Sequence, residues 1–260
     1  MSPWILPSKF QIYLTKFPQI IAFFLPQVAL QLSVVLLFAA TFVLLDAGNE
    51  NRNLLLIIAA ISSFLGYCWL NLWDNKIVSI RAHLKNFQHV SIFLFFSFSF
   101  SPVLYKLTDT VSTDTIHITA GLMLFTHLVF HNYGLERATI VSGALSLNAA
   151  LFASVCLASR LASSYDAFVL LSVSVEIFVL FPIFRLKLRE KPLLVSAIFG
   201  MICSVSLIFY TYTPAAGFLA TISFIIVMGI SPSLFLRWQN FKHTIHGPWD
   251  EAVPNIWLIR

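Results

Sequence analysis

Charge is what this chain has least of. Only 10% of its 260 residues are Asp, Glu, Lys or Arg, against roughly a quarter in a water-soluble domain, so it cannot clothe a solvated surface of ordinary size. Long polar connections are missing too. No loop between apolar runs exceeds about twenty residues, which excludes a nucleotide-binding domain built of βαβ units. Neither a G-x-G-x-x-G turn nor a Walker sequence occurs, so the usual phosphate cradles are absent. There are three cysteines, Cys68, Cys156 and Cys203, all inside apolar runs. Their odd number and setting exclude a disulfide framework and make them small apolar packers. What the chain has in plenty is apolar bulk: 58% of residues are hydrophobic, 26 are Phe, and the mean hydropathy is +0.86. The solvent for such a surface is lipid.

A helix of about 20 residues crosses the hydrocarbon core. Eight runs meet that length or approach it: 27–45, 54–73, 89–107, 116–133, 139–160, 165–184, 193–212 and 215–236. The expected fold is therefore all-α, a polytopic membrane protein of about eight transmembrane helices in one transmembrane domain over 1–260. The third run is the weakest, because Pro102 limits its apolar core to about fourteen residues. That gives a short span or a broken helix. The first run is too long and too late for a cleaved signal peptide. Ahead of it, residues 1–26 contain WILPSKFQIYLTKFPQIIAFF, which reads either as an interfacial helix broken at Pro7 and Pro18 or as a loosely ordered terminus.

A pI of about 9.2 invites a nucleic-acid partner until the charges are placed. With the N-terminus cytoplasmic, thirteen of the 16 Lys and Arg fall on the cytoplasmic side. Only Arg52, Lys106 and Arg160 fall on the other. That bias follows the positive-inside rule and predicts cytoplasmic N- and C-termini, with 27–236 as the bundle and 237–260 as a cytoplasmic tail. The basic excess is then a topology signal, and nucleic acid is excluded.

Polar groups inside spans are costly and become functional candidates. His127 and His131 lie four apart on one face of the fourth span, with His117 near its other end. Two histidines at that spacing can share a metal, but no third ligand is near, and hydrogen bonding between helices is the simpler reading. Glu176, midway along the sixth span, reads as a proton relay or as a protonated acid bonded to a neighbouring helix. Asn148 in the fifth span reads as a bridge between helices. That span, TIVSGALSLNAALFASVCLASR, places Ser142, Ser146, Ala149, Ala153 and Ser154 at helical spacing. Such a small face suits close backbone packing within the bundle, or against a partner helix. In SPVLYKLTDTVSTDTI, Pro102 should end or kink the third span. Ser112, Thr113 and Asp114 there form a capping cluster for the fourth.

The stretches SPVLYKLTDTVSTDTI, LSLNAALFASVCLASRL and IHGPWDEA resemble the PIG-C family, the C subunit of phosphatidylinositol N-acetylglucosaminyltransferase. Looser similarity runs from about Leu25 to Glu251. The first 24 residues depart from the family's longer, more charged start, and the loop 74–88 reads as variable. The resemblance implies a multi-pass subunit in the endoplasmic reticulum membrane. Its complex moves N-acetylglucosamine from UDP-GlcNAc to phosphatidylinositol, the first step of glycosylphosphatidylinositol (GPI) anchor synthesis. It implies partner subunits, including a separate glycosyltransferase subunit that handles the sugar nucleotide, and contact with phosphatidylinositol.

On that reading no catalytic residue, metal or cofactor is expected in this chain. Candidate contacts to subunits or lipid are Ser101, Pro102, Ser112, Thr113 and Asp114 in the third-to-fourth connection, and Asn148, Ser159 and Arg160 on the fifth span. In the tail they are Gly247, Pro248, Trp249 and Asp250, where Gly-Pro stops a helix. His243 and His246 beside them read as docking residues rather than metal ligands. Two other classes compete. A transporter or lipid scramblase is suggested by eight spans and Glu176, with Pro102 and Pro182 as matched helix breaks. A multispan glycosyltransferase using a lipid-linked sugar would need more than the short loop DAGNENRN, which offers Asp46 and Glu50.

Overall fold

A computed structural model describes residues 8–48, 52–73, 80–107, 111–133, 140–188, 214–230, 233–234 and 237. Among the described residues the fold is helical throughout, with no strand. Helix α1 spans Ser8–Asp46, α2 Arg52–Trp73, α3 Ile80–Leu107, α4 Thr113–Phe130 and α5 Ile140–Ala158. Helix α6, Ser164–Val175, continues through a π-helical turn, Glu176–Leu180, into α7, Phe181–Leu188. Helix α8, Pro214–Ile225, runs into a second π turn, Ile226–Ile230.

Among the described residues, four stretches are long and apolar enough to cross a membrane: Gln27–Asp46, Arg52–Asn71, His83–Leu104 and Ser164–Arg185. Ser142–Ala158 is a shorter apolar helix. Runs four and eight of the sequence reading are helical over most of their length, while run seven, 193–212, lies outside the described residues.

Neither Pro18 nor Pro102 ends a helix. Helix α1 is continuous through Pro18, so the segment before the first span is its extension and no separate interfacial helix. Pro7 lies outside the described residues. Pro102 sits inside α3, which continues to Leu107. Prolines are tolerated in membrane helices; the adjacent Ser101 hydroxyl is tied across to the carbonyl of Ser164 on α6. Helix α3 also begins earlier than the sequence suggests. Arg81 and Lys85 belong to its first turns, where a loop over 74–88 was expected. Helix α1 ends at a glycine, as many helices do. Gly48 adopts φ 67° and its N–H reaches the Leu45 carbonyl at 3.2 Å.

The helices are unequally buried. Gln27–Asp46 is more than half buried, whereas Arg52–Asn71 is not buried at all. The interior is formed by α1, α4, α5 and α6 around Phe38, Ala150, Ala153, Ala158, Ala167, Val169 and Leu170. Helix α5 contributes the small face expected of it: Ser146, Ala149, Ala153 and Ser154 are buried. It packs between α4 and α6. The face therefore serves packing within the bundle. Cys156 is buried and Cys68 half-buried, both as free thiols, and Cys203 lies outside the described residues.

Candidate functional site

Polar side chains gather in two places, at one end of the bundle and within its interior. The end cluster joins the end of α3, the start of α4, the end of α5 and the starts of α2 and α6. Ser112 caps α4 as its sequence predicts. It has extended backbone, its hydroxyl accepts from the Thr115 N–H at 3.4 Å, and it lies 2.6 Å from the Thr115 hydroxyl. Asp114 in the first turn faces the positive end of the helix dipole. Thr113 and Asp114 are exposed beside it. Arg160 Nη2 donates to the Val111 carbonyl at 2.9 Å, fastening the end of α5 to the residue before that cap. Ser159 is buried and donates back to the Cys156 carbonyl at 2.6 Å. Ser101 is buried and binds Ser164, while Pro102 beside it is exposed.

Helix α2 is held to this end by two further contacts. Arg52 pairs with Asp166 at 3.4 Å, and Tyr165 Oη donates to Asn53 Oδ1 at 2.9 Å. The Arg52 side chain is 42% exposed, so the pair contributes about 0–1 kcal/mol. Its value is orientation. The structure thus brings Ser101, Pro102, Ser112, Thr113, Asp114, Ser159 and Arg160 to one end of the bundle. Asn148 is not among them. It is exposed on α5 and bridges no helices among the described residues, because the face of Ser146, Ala149, Ala150 and Ala153 points the other way. Gly247, Pro248, Trp249 and Asp250, with His243 and His246, lie outside the described residues.

The interior cluster spans α1, α4, α5 and α7, and part of it escapes the sequence. Arg185 is only 6% exposed, and Gln31, His127 and Ser146 are buried more deeply. Arg185 Nη1 donates to Gln31 Oε1 at 3.1 Å. That fixes the amide, turning Gln31 Nε2 towards His127 Nε2 at 2.7 Å. An amide nitrogen only donates, so the ring nitrogen accepts. The other ring nitrogen, Nδ1, then carries the proton and donates to the Ser146 carbonyl at 2.9 Å. The Ser146 hydroxyl answers by donating to the His127 carbonyl at 3.0 Å. Arg185 Nη2 meets His131 Nε2 at 2.8 Å and the Asn132 carbonyl at 3.3 Å. Since guanidinium has donors only, His131 also accepts through Nε2.

His127 and His131 do share a face, with ring centroids 5.3 Å apart. Each turns its nitrogens towards another helix, as the hydrogen-bonding reading expects. Phe178 lies against His127 edge-on, centroids 5.0 Å apart, and Phe38 against Phe178 at 5.1 Å. The network is a chain of directed hydrogen bonds walled by aromatic rings, and its chemistry is that of a lock between four helices. Gln31 had a signal in the sequence, one of two amides, with Gln27, at the start of an apolar run. Arg185 had none, because a cation at a span end reads as an interface residue.

Glu176 opens the first π turn and accepts from the Ser62 hydroxyl on α2. Glu176 is thereby bonded to a neighbouring helix. At the far end of α2, Tyr67 binds His83 on α3 and accepts from Asn86 at 3.4 Å, tying the two peripheral helices together.

The family described as phosphatidylinositol N-acetylglucosaminyltransferase matches residues 9–250. The chain is 37% identical over 235 residues to the C subunit of the Homo sapiens phosphatidylinositol N-acetylglucosaminyltransferase, covering 85% of this chain and 76% of that protein. The Bos taurus C subunit is 36% identical over 229 residues, covering 85% and 76%. The Schizosaccharomyces pombe GPI2 subunit of the same enzyme is 29% identical over 263 residues, covering 96% and 80%. No solved structure matches. These relatives are named as subunits of a glycosyltransferase and none of them as a transporter, which favours the complex-subunit reading over transport. The chain belongs to the family of phosphatidylinositol N-acetylglucosaminyltransferase C subunits.

Proposed function

We propose that the chain is a multi-pass subunit, in the endoplasmic reticulum membrane, of the complex that transfers N-acetylglucosamine from UDP-GlcNAc to phosphatidylinositol. The observation that carries this is the relatives' name as enzyme subunits, at 37% identity over 85% of the chain. The transfer chemistry belongs to a partner glycosyltransferase subunit, and this chain contributes a membrane frame. Eight spans with both termini cytoplasmic follow from the apolar runs and the distribution of Lys and Arg. In that orientation Arg81 and the tail face the cytoplasm, where the sugar nucleotide is, Arg185 lies buried towards that side, and the Ser112–Arg160 end faces the lumen.

The frame reading gives both polar clusters a task. The interior lock sets the register of α1, α4, α5 and α7, and the luminal contacts fix the α3–α4 connection. The tail residues Gly247, Pro248, Trp249 and Asp250 form a docking corner on the cytoplasmic face. Affinity purification of the tagged chain tests the proposal: the glycosyltransferase subunit should come with it. A chain that inserts and folds yet brings no such subunit would refute the role. Accessibility mapping of tags placed in successive loops tests the eight-span orientation, and a lumenal terminus would overturn it.

A further inference from the structure

The first turns of α3 carry a cationic stripe that the frame does not use. Arg81, Lys85 and His89 are spaced four apart and lie on one face of the helix, all exposed. None of them has a carboxylate or other polar partner among the described residues. No Asp or Glu occurs anywhere in the sequences of α2 and α3. Beside the stripe stand two large apolar side chains, Leu84 three residues on from Arg81 at 63% exposure and Ile92 three residues on from His89 at 44%. The helix end is held in place, because Tyr67 on α2 binds His83 and accepts from Asn86 on the other side of α3.

Depth selects the ligand. The apolar span of α3 begins at His83, so the stripe straddles the first turns of the membrane crossing, at the level of lipid phosphates. Helices α2 and α3 form the perimeter of the bundle, and lipid reaches the stripe from the side. A water-soluble acidic protein surface would meet Leu84 and Ile92 at the cost of leaving them apart from acyl chains. A phospholipid satisfies cations and apolar groups together. We propose that Arg81, Lys85 and His89 bind the phosphate of an anionic glycerophospholipid, with Leu84 and Ile92 against its acyl chains. This rests on the proposed function, which puts the start of α3 in the cytoplasmic leaflet and names one anionic phospholipid as substrate of the complex.

The test uses the full chain exchanged into nanodiscs of phosphatidylcholine with either phosphatidylinositol or phosphatidylserine, reading bound lipid by mass spectrometry. The wild-type chain should retain the anionic lipid over phosphatidylcholine. R81Q/K85Q/H89Q should cut that retention roughly 25-fold, from about fivefold for each of the two permanent cations. R81K/K85R, which keeps the charge, should retain it, so that a folding defect in the first variant is recognised. Equal retention of both anionic lipids assigns the site to the phosphate, and preference for phosphatidylinositol assigns it to the substrate. Unchanged retention in the neutral variant overturns the proposal, as does loss of the glycosyltransferase subunit with lipid retention intact, which would make the stripe a protein surface. Failure of the wild-type chain to associate with that subunit would instead refute the proposed function, and is read separately.

Discussion

The interior network makes a quantitative prediction at Gln31 and His127. Their 2.7 Å contact is buried between α1 and α4, and Gln31 also receives Arg185. Gln31→Leu strands the acceptor nitrogen of His127 and one guanidinium donor. His127→Phe strands the Gln31 amide and frees the Ser146 carbonyl. Each buried polar group left without its partner costs about 1–3 kcal/mol and each single variant strands two, so each should lose roughly 2–6 kcal/mol. The double variant removes both partners together, and the pair's own hydrogen bond is lost only once. Hydrogen bonds between membrane helices contribute on average about 0.6 kcal/mol and at most about 1.7. The coupling energy should therefore lie between roughly 0.5 and 1.7 kcal/mol. Reversible unfolding of the purified chain in mixed micelles, titrated with dodecyl sulfate and followed by circular dichroism, measures all four corners of the cycle. Additivity within about 0.3 kcal/mol would refute the network as described.

Three further outcomes follow from the same structure. Ala153→Leu places a large side chain where α5 has no exposed surface, and overpacking of this kind should cost about 1–3 kcal/mol in the same unfolding assay; a neutral result would mean that α5 is not packed on this face. Glu176→Gln keeps an acceptor for Ser62, so stability should stay within about 0.5 kcal/mol and restoration of GPI-anchored proteins in deficient cells should persist; its abolition would return Glu176 to a proton-carrying role. Trp249→Ala should leave insertion normal while the glycosyltransferase subunit is lost on affinity purification. Unchanged assembly would reduce the tail to an interface anchor.

The sequence was most legible where local chemistry decides structure. Ser112 announced the start of α4 because its side chain satisfies a backbone donor three residues on, a purely local bond. The small residues of α5 announced a close-packed helix, and their spacing chose the buried face. The same periodicity, applied strictly, would have turned Asn148 away from that face. Treating it as a bridge gave weight to its polarity over its position. Proline misled for a related reason. Pro18 and Pro102 break isolated helices, yet α1 and α3 run through them, as prolines in membrane helices can be tolerated.

What the sequence could not reveal was partnership across distance. Arg185 pairs with Gln31, 154 residues earlier in the chain, and no local pattern separates a cation that folds inward from one that meets phosphates. His127 and His131 were visible as a pair, yet the groups that fix their hydrogen-bonding roles come from three other helices. The family resemblance reached the function where residue chemistry did not. A frame has no acid–base constellation to recognise, only long stretches of well-packed sequence.

The most direct measurement is transfer itself. Microsomes from cells lacking the endogenous C subunit, supplied with this chain, should form N-acetylglucosaminyl phosphatidylinositol from labelled UDP-GlcNAc. The same chain purified free of the glycosyltransferase subunit should form none. Failure to restore the labelled lipid by a stably inserted chain, or product from the purified chain alone, would contradict its assignment as a non-catalytic subunit of this enzyme.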